Sequence, residues 1–522
     1  MRELLHIGVG SAFGLAGWLI PRRVAEARRA GLPALLLDLL PLLVGSGVLL
    51  IATGRPLFTG FAVLSIGAGY ALADRTKREA VREPVVFSEM SELPHVFSHP
   101  QLYLPFAGTG LVIGGVIAII ALSVALFLLE AQMWEPNPLL ILGSVFAVGT
   151  AAWTISREPA LGTAAAALRR LRPSGEPFGD AARLGPFGMF LTYGVVARAE
   201  RAARQARHTP PPAPAFGRRR GAAALPLVLV QCESFFDARR LSPLVPEDLL
   251  MSFDACREAG GSFGRFEVPA WGANTMRAEF AVLTGIPESA LGYDRFNPYH
   301  AFARAPIASL AWRLRAEGYR TICLHPFDRS FFRRDLVLPA LGFETFLGFE
   351  SLGGSRRPPY CSDPELARHV LRVLDLEGPR TFVFAITMGN HGPWLTAAPS
   401  INPEPGRSFD ATDLPQGGEL LRYLDGLRQS DEMLQILMDG LACRHCEGVL
   451  AFYGDHLPSL PQAFRHFGFD EWDSDYVLWP SAGSPARRFD LPAHRLPRII
   501  IDTLQARGAI EVRNAAALAA SD

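Results

Sequence analysis

The sequence is nearly without lysine: of 51 basic residues only Lys77 is one, and the other basic residues are arginines. It also lacks net charge, because 51 acidic residues balance the 51 basic ones, so no global attraction to nucleic acid is implied. Six cysteines in 522 residues are too few for a disulfide scaffold, and neither a collagen-like period nor a low-complexity tail is present. What the chain has in quantity is apolar residues, 49% against 20% charged. That average is too oily for a simple soluble enzyme and far from disorder. The excess is local, with apolar residues concentrated before residue 160 and charge after it. At about 150 residues per domain, the length accommodates roughly three domains.

Charge-poor apolar runs cover residues 4–20, 32–52 (broken only by Asp38), 57–73, 104–129 and 139–155. Each approaches or reaches the about 17–25 residues that a helix needs to cross a hydrocarbon core, and five in series predict a multispan membrane domain over 1–160. Arg22 and Arg23 directly after the first run favour its retention as a span over removal as a signal peptide. Asp38 within the second run is expected to pair inside the helix bundle. A sixth, shorter run at 184–197 either crosses or lies on the membrane surface; arginines 198, 201, 204 and 207 follow it. Basic residues collect in the loops 21–31, 74–83 and 157–183, a bias that places those loops in the cytoplasm.

Residues 161–221 form a juxtamembrane segment that ends in a Pro-rich spacer, HTPPPAPAFGRRRG at 208–221. Beyond it, 222–522 changes character. Short continuous apolar runs at 225–231, 319–324, 381–387 and 448–453 suit strands buried on both faces of a mostly parallel sheet. Helical stretches at 276–283, 307–317, 364–376 and 419–441 lie between them, which predicts an α/β domain. All six cysteines (232, 256, 323, 361, 443, 446) fall in this half, an even count that permits disulfides outside the cell. Cys443-Arg-His-Cys446 is one CxxC without a second pair, weak evidence for zinc, so a surface disulfide or free thiols are the expectation there.

Chemistry gathers where those strands end. Glu233, His325, His391 and the pair Asp455-His456 each follow one of the four runs, and open parallel sheets bind ligands at the carboxyl ends of their strands. Each of these residues could be an ordinary turn or cap; together they predict a site. The loop PAWGANT leads to Thr275 at the start of the 276–283 helix, where N–H groups and the helix dipole favour anions, unless Thr275 is only a cap. Glu233, Asp455, His456 and the Thr275 hydroxyl give three hard oxygens and an imidazole, a set suited to Mn²⁺, Mg²⁺ or Zn²⁺. A metal on that hydroxyl would make it a nucleophile, and His325, Arg334 and His391 would bind a phosphoryl group.

The blocks QCESFFD, PAWGANTMRAEFAVLTG, HPFDRSFFRRDLVLPALG, TMGNHGP and FYGDH resemble, in order, those of the lipoteichoic acid synthase/phosphoglycerol transferase family of the alkaline-phosphatase/sulfatase superfamily. The resemblance covers residues 225 to about 479 and extends to the multispan anchor. It implies Thr275 as nucleophile, a metal (usually manganese) on Glu233, Thr275, Asp455 and His456, and a glycerophosphate pocket lined by His325, Phe332, Arg334 and His391. Phe332 stands where a tryptophan is familiar and Phe327 where a polar residue is familiar. The implied donor is phosphatidylglycerol, the acceptor a glycan or polymer hydroxyl, and the place the outer side of a bacterial cytoplasmic membrane. That side conflicts with the loop charges unless 184–197 crosses or the first run does not. A phosphoethanolamine transferase, a hydrolase of the same superfamily and a non-catalytic anchored binding module are the rivals. A sulfatase proper is disfavoured, since Asn274-Thr-Met-Arg-Ala lacks both the Cys/Ser and the proline from which its formylglycine is made. Arg277, Glu279, Arg295 and Asn297 near Thr275 rank second, surface salt bridging being their more ordinary fate.

Overall fold

The computed structural model describes residues 2–27, 31–210, 224–353, 360–394, 414–444 and 447–510. These form two compact units: Met1–Ala203 with Gly292–Phe296, and Arg204–Leu291 with Asn297–Asp522.

In the first unit five helices are long and apolar enough to cross a membrane: α1 (Arg2–Val24), α2 (Leu32–Thr53), α3 (Pro56–Val81), α4 (Thr109–Leu129) and α5 (Pro138–Ile155). Leucine, isoleucine and valine on α4 and α5 point outward, as suits helices whose solvent is lipid. Helices α1 and α3 pack backbone to backbone. A Cβ at Gly60 would lie 2.0 Å from the Gly10 carbonyl oxygen, and one at Gly67 would lie 1.9 Å from that of Gly17. Small residues at equal seven-residue spacing on both helices make that approach. Asp38 is fully buried and accepts from Trp18 Nε1 (2.8 Å), Arg22 (2.7 Å) and the backbone N–H groups of Phe187 and Gly188 (2.8 and 3.0 Å). It thus caps the helix α6 (Pro186–Arg207), the element that contains the sixth apolar run. This helix is not among the five candidate spans, whereas the first run is. Segment Gly292–Phe296 joins this unit through Arg201 on Asp294 (2.7 Å) and Tyr193 stacked on Tyr293 at 4.2 Å.

The second unit is built on one sheet. Strands β1 (Leu227–Cys232), β3 (Arg320–Leu324), β4 (Thr345–Leu347), β5 (Thr381–Ile386) and β6 (Val449–Gly454) run parallel in the order β4-β3-β5-β1-β6. Strand β7 (Ser474–Pro480) continues it antiparallel to β6, β2 (Gly261–Glu267) follows antiparallel to β7, and the short β8 (Ala486–Arg488) and β9 (Leu491–Pro492) pair parallel with β2. The four apolar runs are β1, β3, β5 and β6, and β1, β5 and β6 are buried along their whole length. Their alternate side chains feed a separate apolar core on each face, as a sheet covered by helices on both sides requires. The predicted helices are Thr275–Thr284 (α7), Leu310–Ala316, Asp363–Glu377 and Gly417–Arg444. Cys232, Cys256, Cys323, Cys361 and Cys443 are free thiols, so no disulfide forms among the described residues; Cys446 and most of the Pro-rich spacer lie outside them.

Candidate active site

Strands β1 and β6 are adjacent, with Cys232 opposite Gly454, so the residues that follow them, Glu233 and Asp455-His456, emerge side by side. The turn after β1 is tight. Ser234 adopts a left-handed φ of 55°, and its N–H donates to Asp455 Oδ1 (2.9 Å) while its hydroxyl donates to Glu233 Oε1 (2.9 Å). The Glu233 N–H donates to Thr387 Oγ1 at the end of β5 (3.0 Å). Thr275 is the first residue of α7, and Asn274, with φ 67°, occupies the cap position without a side-chain cap bond. Thr275 is therefore not the cap, and its hydroxyl lies 3.4 Å from His456 Nε2.

The geometry around His456 defines what fits there. Its Nδ1 faces the Leu457 carbonyl at 2.9 Å, which places the ring proton on Nδ1 and leaves Nε2 with a lone pair. That lone pair points at Glu233 Oε1, Asp455 Oδ2 and Thr275 Oγ1, each 3.4 Å away. Asp455 Oδ2 is buried with no hydrogen bond of good geometry, although the Thr275 hydroxyl lies close enough to act on the carboxylate. Burial, and then the Glu233 carboxylate, push the Asp455 carboxyl up to about 7. Burial opposes charge on His456, but Asp455 and Glu233 outweigh it and raise its pKa. Electron-rich atoms that crowd together and bind protons more tightly than usual form a site for a cation. Glu233, Asp455 and His456, with ligand atoms within 4.8 Å of one another, are a donor set that fits a divalent metal.

The remaining predicted residues form a second cluster. His325, after β3, donates from Nδ1 to the Ile386 carbonyl (3.2 Å) and accepts at Nε2 from Arg334 (3.2 Å). Burial, then Arg334, hold its pKa well below the ordinary histidine value, so His325 is neutral and brings no charge of its own. Arg334 is buried, and the partly exposed Phe332 ring covers its guanidinium at 5.3 Å. Phe332 and Arg333 both take left-handed φ, 53° and 57°. Among the described residues of this unit, non-glycine positive φ occurs at Ser234, Asn274, Phe332, Arg333 and Gln416, and all but the last adjoin a candidate site residue. Backbone strain of this kind, about 1–3 kcal/mol per residue, clusters where function over-determines the fold. His391 meets this cluster through the Tyr360 ring (6.3 Å), which packs edge-on against Phe327 (6.0 Å).

The second-ranked residues divide. Arg277 pairs with Glu288 (2.7 Å), Arg295 bonds the Gly175 carbonyl, and Asn297 caps helix α8 (Pro298–Phe302), all structural roles. Glu279 is instead completely buried. Sequence reasoning missed Tyr360, which follows no strand, and gave no role to Ser234, although it stands directly after Glu233 at the end of β1.

The chain is similar to several known proteins. The sulfatase family model matches residues 262–495. A capsular polysaccharide biosynthesis protein of Rhizobium meliloti is 29% identical over 83% of this chain and 79% of its own length. A putative cyclic β-1,2-glucan modification protein of the same organism is 32% identical over 47% of this chain and 37% of its own. The membrane-embedded lipooligosaccharide phosphoethanolamine transferase A of Neisseria meningitidis shares the fold at a TM-score of 0.53 and 13% identity, over 95% of this chain and 94% of that one. The chain thus has a region, residues 262–495, that is similar to the sulfatase family, and it lies after five helices long and apolar enough to cross a membrane.

Proposed function

We propose that the protein is a metal-dependent transferase that moves glycerophosphate from phosphatidylglycerol to a glycan or polymer hydroxyl outside the cytoplasmic membrane, with Thr275 as nucleophile. The observation that carries this reading is the convergence of Thr275 Oγ1, Glu233 Oε1 and Asp455 Oδ2 on His456 Nε2. A divalent ion held by Glu233, Thr275, Asp455 and His456, manganese by the family resemblance, would lower the hydroxyl's pKa and offset phosphate charge. Thr275 Oγ attacks the donor phosphorus, the bond to the diacylglycerol oxygen breaks, and glycerophosphate remains esterified to Thr275. The acceptor hydroxyl then attacks the same phosphorus and releases Thr275. Arg334 faces the equatorial oxygens, His325 supports it as a neutral partner, and Phe332 walls the headgroup pocket. His391 is the group that passes a proton to the departing diacylglycerol oxygen and takes one from the acceptor. A glycan acceptor is supported by the two Rhizobium meliloti relatives, whose names refer to a capsular polysaccharide and a cyclic glucan.

Five crossings put the start of the chain and its catalytic half on opposite faces, and the donor lipid and glycans favour the outer face for the latter. Four of the loop cations that argue otherwise are committed to structure. Arg22 is on Asp38 (2.7 Å), Arg78 on Asp74 (2.7 Å), Lys77 on Glu89 (2.6 Å) and Arg183 on Asp180 (2.8 Å). Thr275→Ala tests the reading: transfer is lost while fold and metal-dependent stabilisation persist, and transfer at the wild-type rate would sink it. Phosphatidylethanolamine replaces the donor if only that lipid supports turnover.

A further inference from the structure

The most deeply buried acid of the domain takes no part in the chemistry above, yet it touches most of the elements that supply it. Glu279 is fully buried on α7, one turn after Thr275 and on the same face of that helix. Its carboxylate accepts from Arg334 NH2 (2.8 Å) and Arg334 Nε (3.2 Å to each oxygen), from Gln231 Nε2 (3.1 Å) and from the Tyr299 hydroxyl. Gln231 accepts in turn from the Tyr453 hydroxyl (2.6 Å). Gln231 lies two residues before Glu233 and Tyr453 two before Asp455, so this polar layer sits directly behind the strand ends that bear the two carboxylates.

The consequence for Arg334 is geometric. A guanidinium has five N–H donors in a rigid fork. Glu279 occupies the Nε–NH2 side and His325 one hydrogen of NH1, which leaves one hydrogen on NH1 and one on NH2 for anything else. A buried arginine held in this way cannot swing about its long side chain, and the helix that aims the nucleophile also aims the arginine. We propose that Glu279 is a positioning residue of the transfer reaction: from the nucleophile's own helix it clamps Arg334 so that the free end of the guanidinium meets the phosphoryl oxygens in fixed register with Thr275. This inference rests on the proposed role of Arg334.

The test is steady-state transfer by the full-length protein in vesicles of phosphatidylglycerol, together with inhibition by glycerol phosphate, for wild type, E279Q, E279D, R334Q and E279Q/R334Q. Loss of the charge behind a buried arginine threatens folding, so E279D, which keeps the charge but withdraws it by one methylene, and the doubly neutral variant guard against a simple failure to fold. E279Q is expected to lower kcat/KM about 100-fold and to raise the inhibition constant for glycerol phosphate about tenfold, with E279D between it and wild type. In the R334Q background E279Q should cost nothing further, since the two act as one unit. A purely structural role would lower the active fraction, and with it kcat, but leave KM and the inhibition constant unchanged. That pattern, or losses that multiply in the double variant, overturns the proposal while leaving the transferase reading intact. Wild-type kinetics in R334Q would overturn the assigned role of Arg334 and this inference with it.

Discussion

Gly454→Ala tests whether the pairing of β1 with β6 is what assembles the site. Gly454 has no unusual φ; it is glycine because of space. A Cβ there would lie 1.8 Å from the Phe235 carbonyl oxygen, a shortfall of about 1.6 Å from the 3.4 Å at which ordinary contact begins, and 3.1 Å from Ser474 Cβ. The obstacle is backbone, so no side chain can swing aside. Phe235 lies two residues after Glu233, and Gly454 immediately precedes Asp455, so relief of the clash moves one carboxylate relative to the other. Metal–oxygen bonds of about 2.0–2.6 Å do not tolerate a displacement of that size. Overpacking should cost about 1–3 kcal/mol in stability. Misplacement of about 1 Å at the reacting centre should cost about 100-fold in turnover. The assay is transfer rate together with the thermal midpoint with and without Mn²⁺. Gly418→Ala is the control, because its Cβ meets nothing within 4 Å and it lies exposed on the Gly417–Arg444 helix. If Gly454→Ala turns over like wild type and gains as much stability from metal, the site does not depend on this strand pairing and the reasoning is wrong.

Removal of metal by a chelator should lower the thermal midpoint. Mn²⁺ at about 100 times its Kd should restore about 2.7 kcal/mol, and D455N should abolish that restoration. In the membrane unit, Gly67→Val should separate α1 from α3 and lower the midpoint in detergent, while Gly69→Val, whose added Cβ meets nothing within 4 Å, should not; equal effects would refute the close-packed seam. Asp363, buried beneath the His391 loop, accepts from the Ser430 hydroxyl (2.7 Å) and the Gly389 N–H (3.2 Å), and burial pushes it up to about 6. Below the unfolded value of about 3.9 it is protonated in both states. As pH rises from there through about 6, only the unfolded chain releases its proton readily, so up to about 3 kcal/mol of stability is lost. Asp363→Asn should therefore gain on wild type in midpoint between pH 4 and pH 7, and a constant difference across that window would contradict the assignment.

The parallel centre of the sheet was legible because β1, β5 and β6 are buried on both faces and β3 nearly so, which writes a continuous apolar run into the sequence. The flanking strands were not. β2 carries Gly264 and Arg265 and is half-exposed, and β8 is three exposed residues, Ala486–Arg488, so both are strands only by virtue of their partners. The metal-type residues could be read because each follows a legible strand. The fate of Glu279 could not, because its partner Arg334 is 55 residues away and surface pairing is the ordinary destiny of a helical glutamate. Nor does any glycine advertise the left-handed residues Ser234, Asn274, Phe332 and Arg333. Nor does a count of loop arginines show that Arg22 and Arg183 are bound to buried aspartates.

The central claim, that Thr275 carries the transferred group, is tested most directly by peptide-mapping mass spectrometry after incubation of the protein with Mn²⁺ and mixed phosphatidylglycerol and phosphatidylethanolamine vesicles, without acceptor. The account predicts a glycerophosphate adduct on the peptide that contains Thr275 and none in the Thr275→Ala variant. A phosphoethanolamine adduct at the same residue would keep the mechanism and replace the donor. An adduct on any other residue, or transfer by Thr275→Ala, would contradict the account.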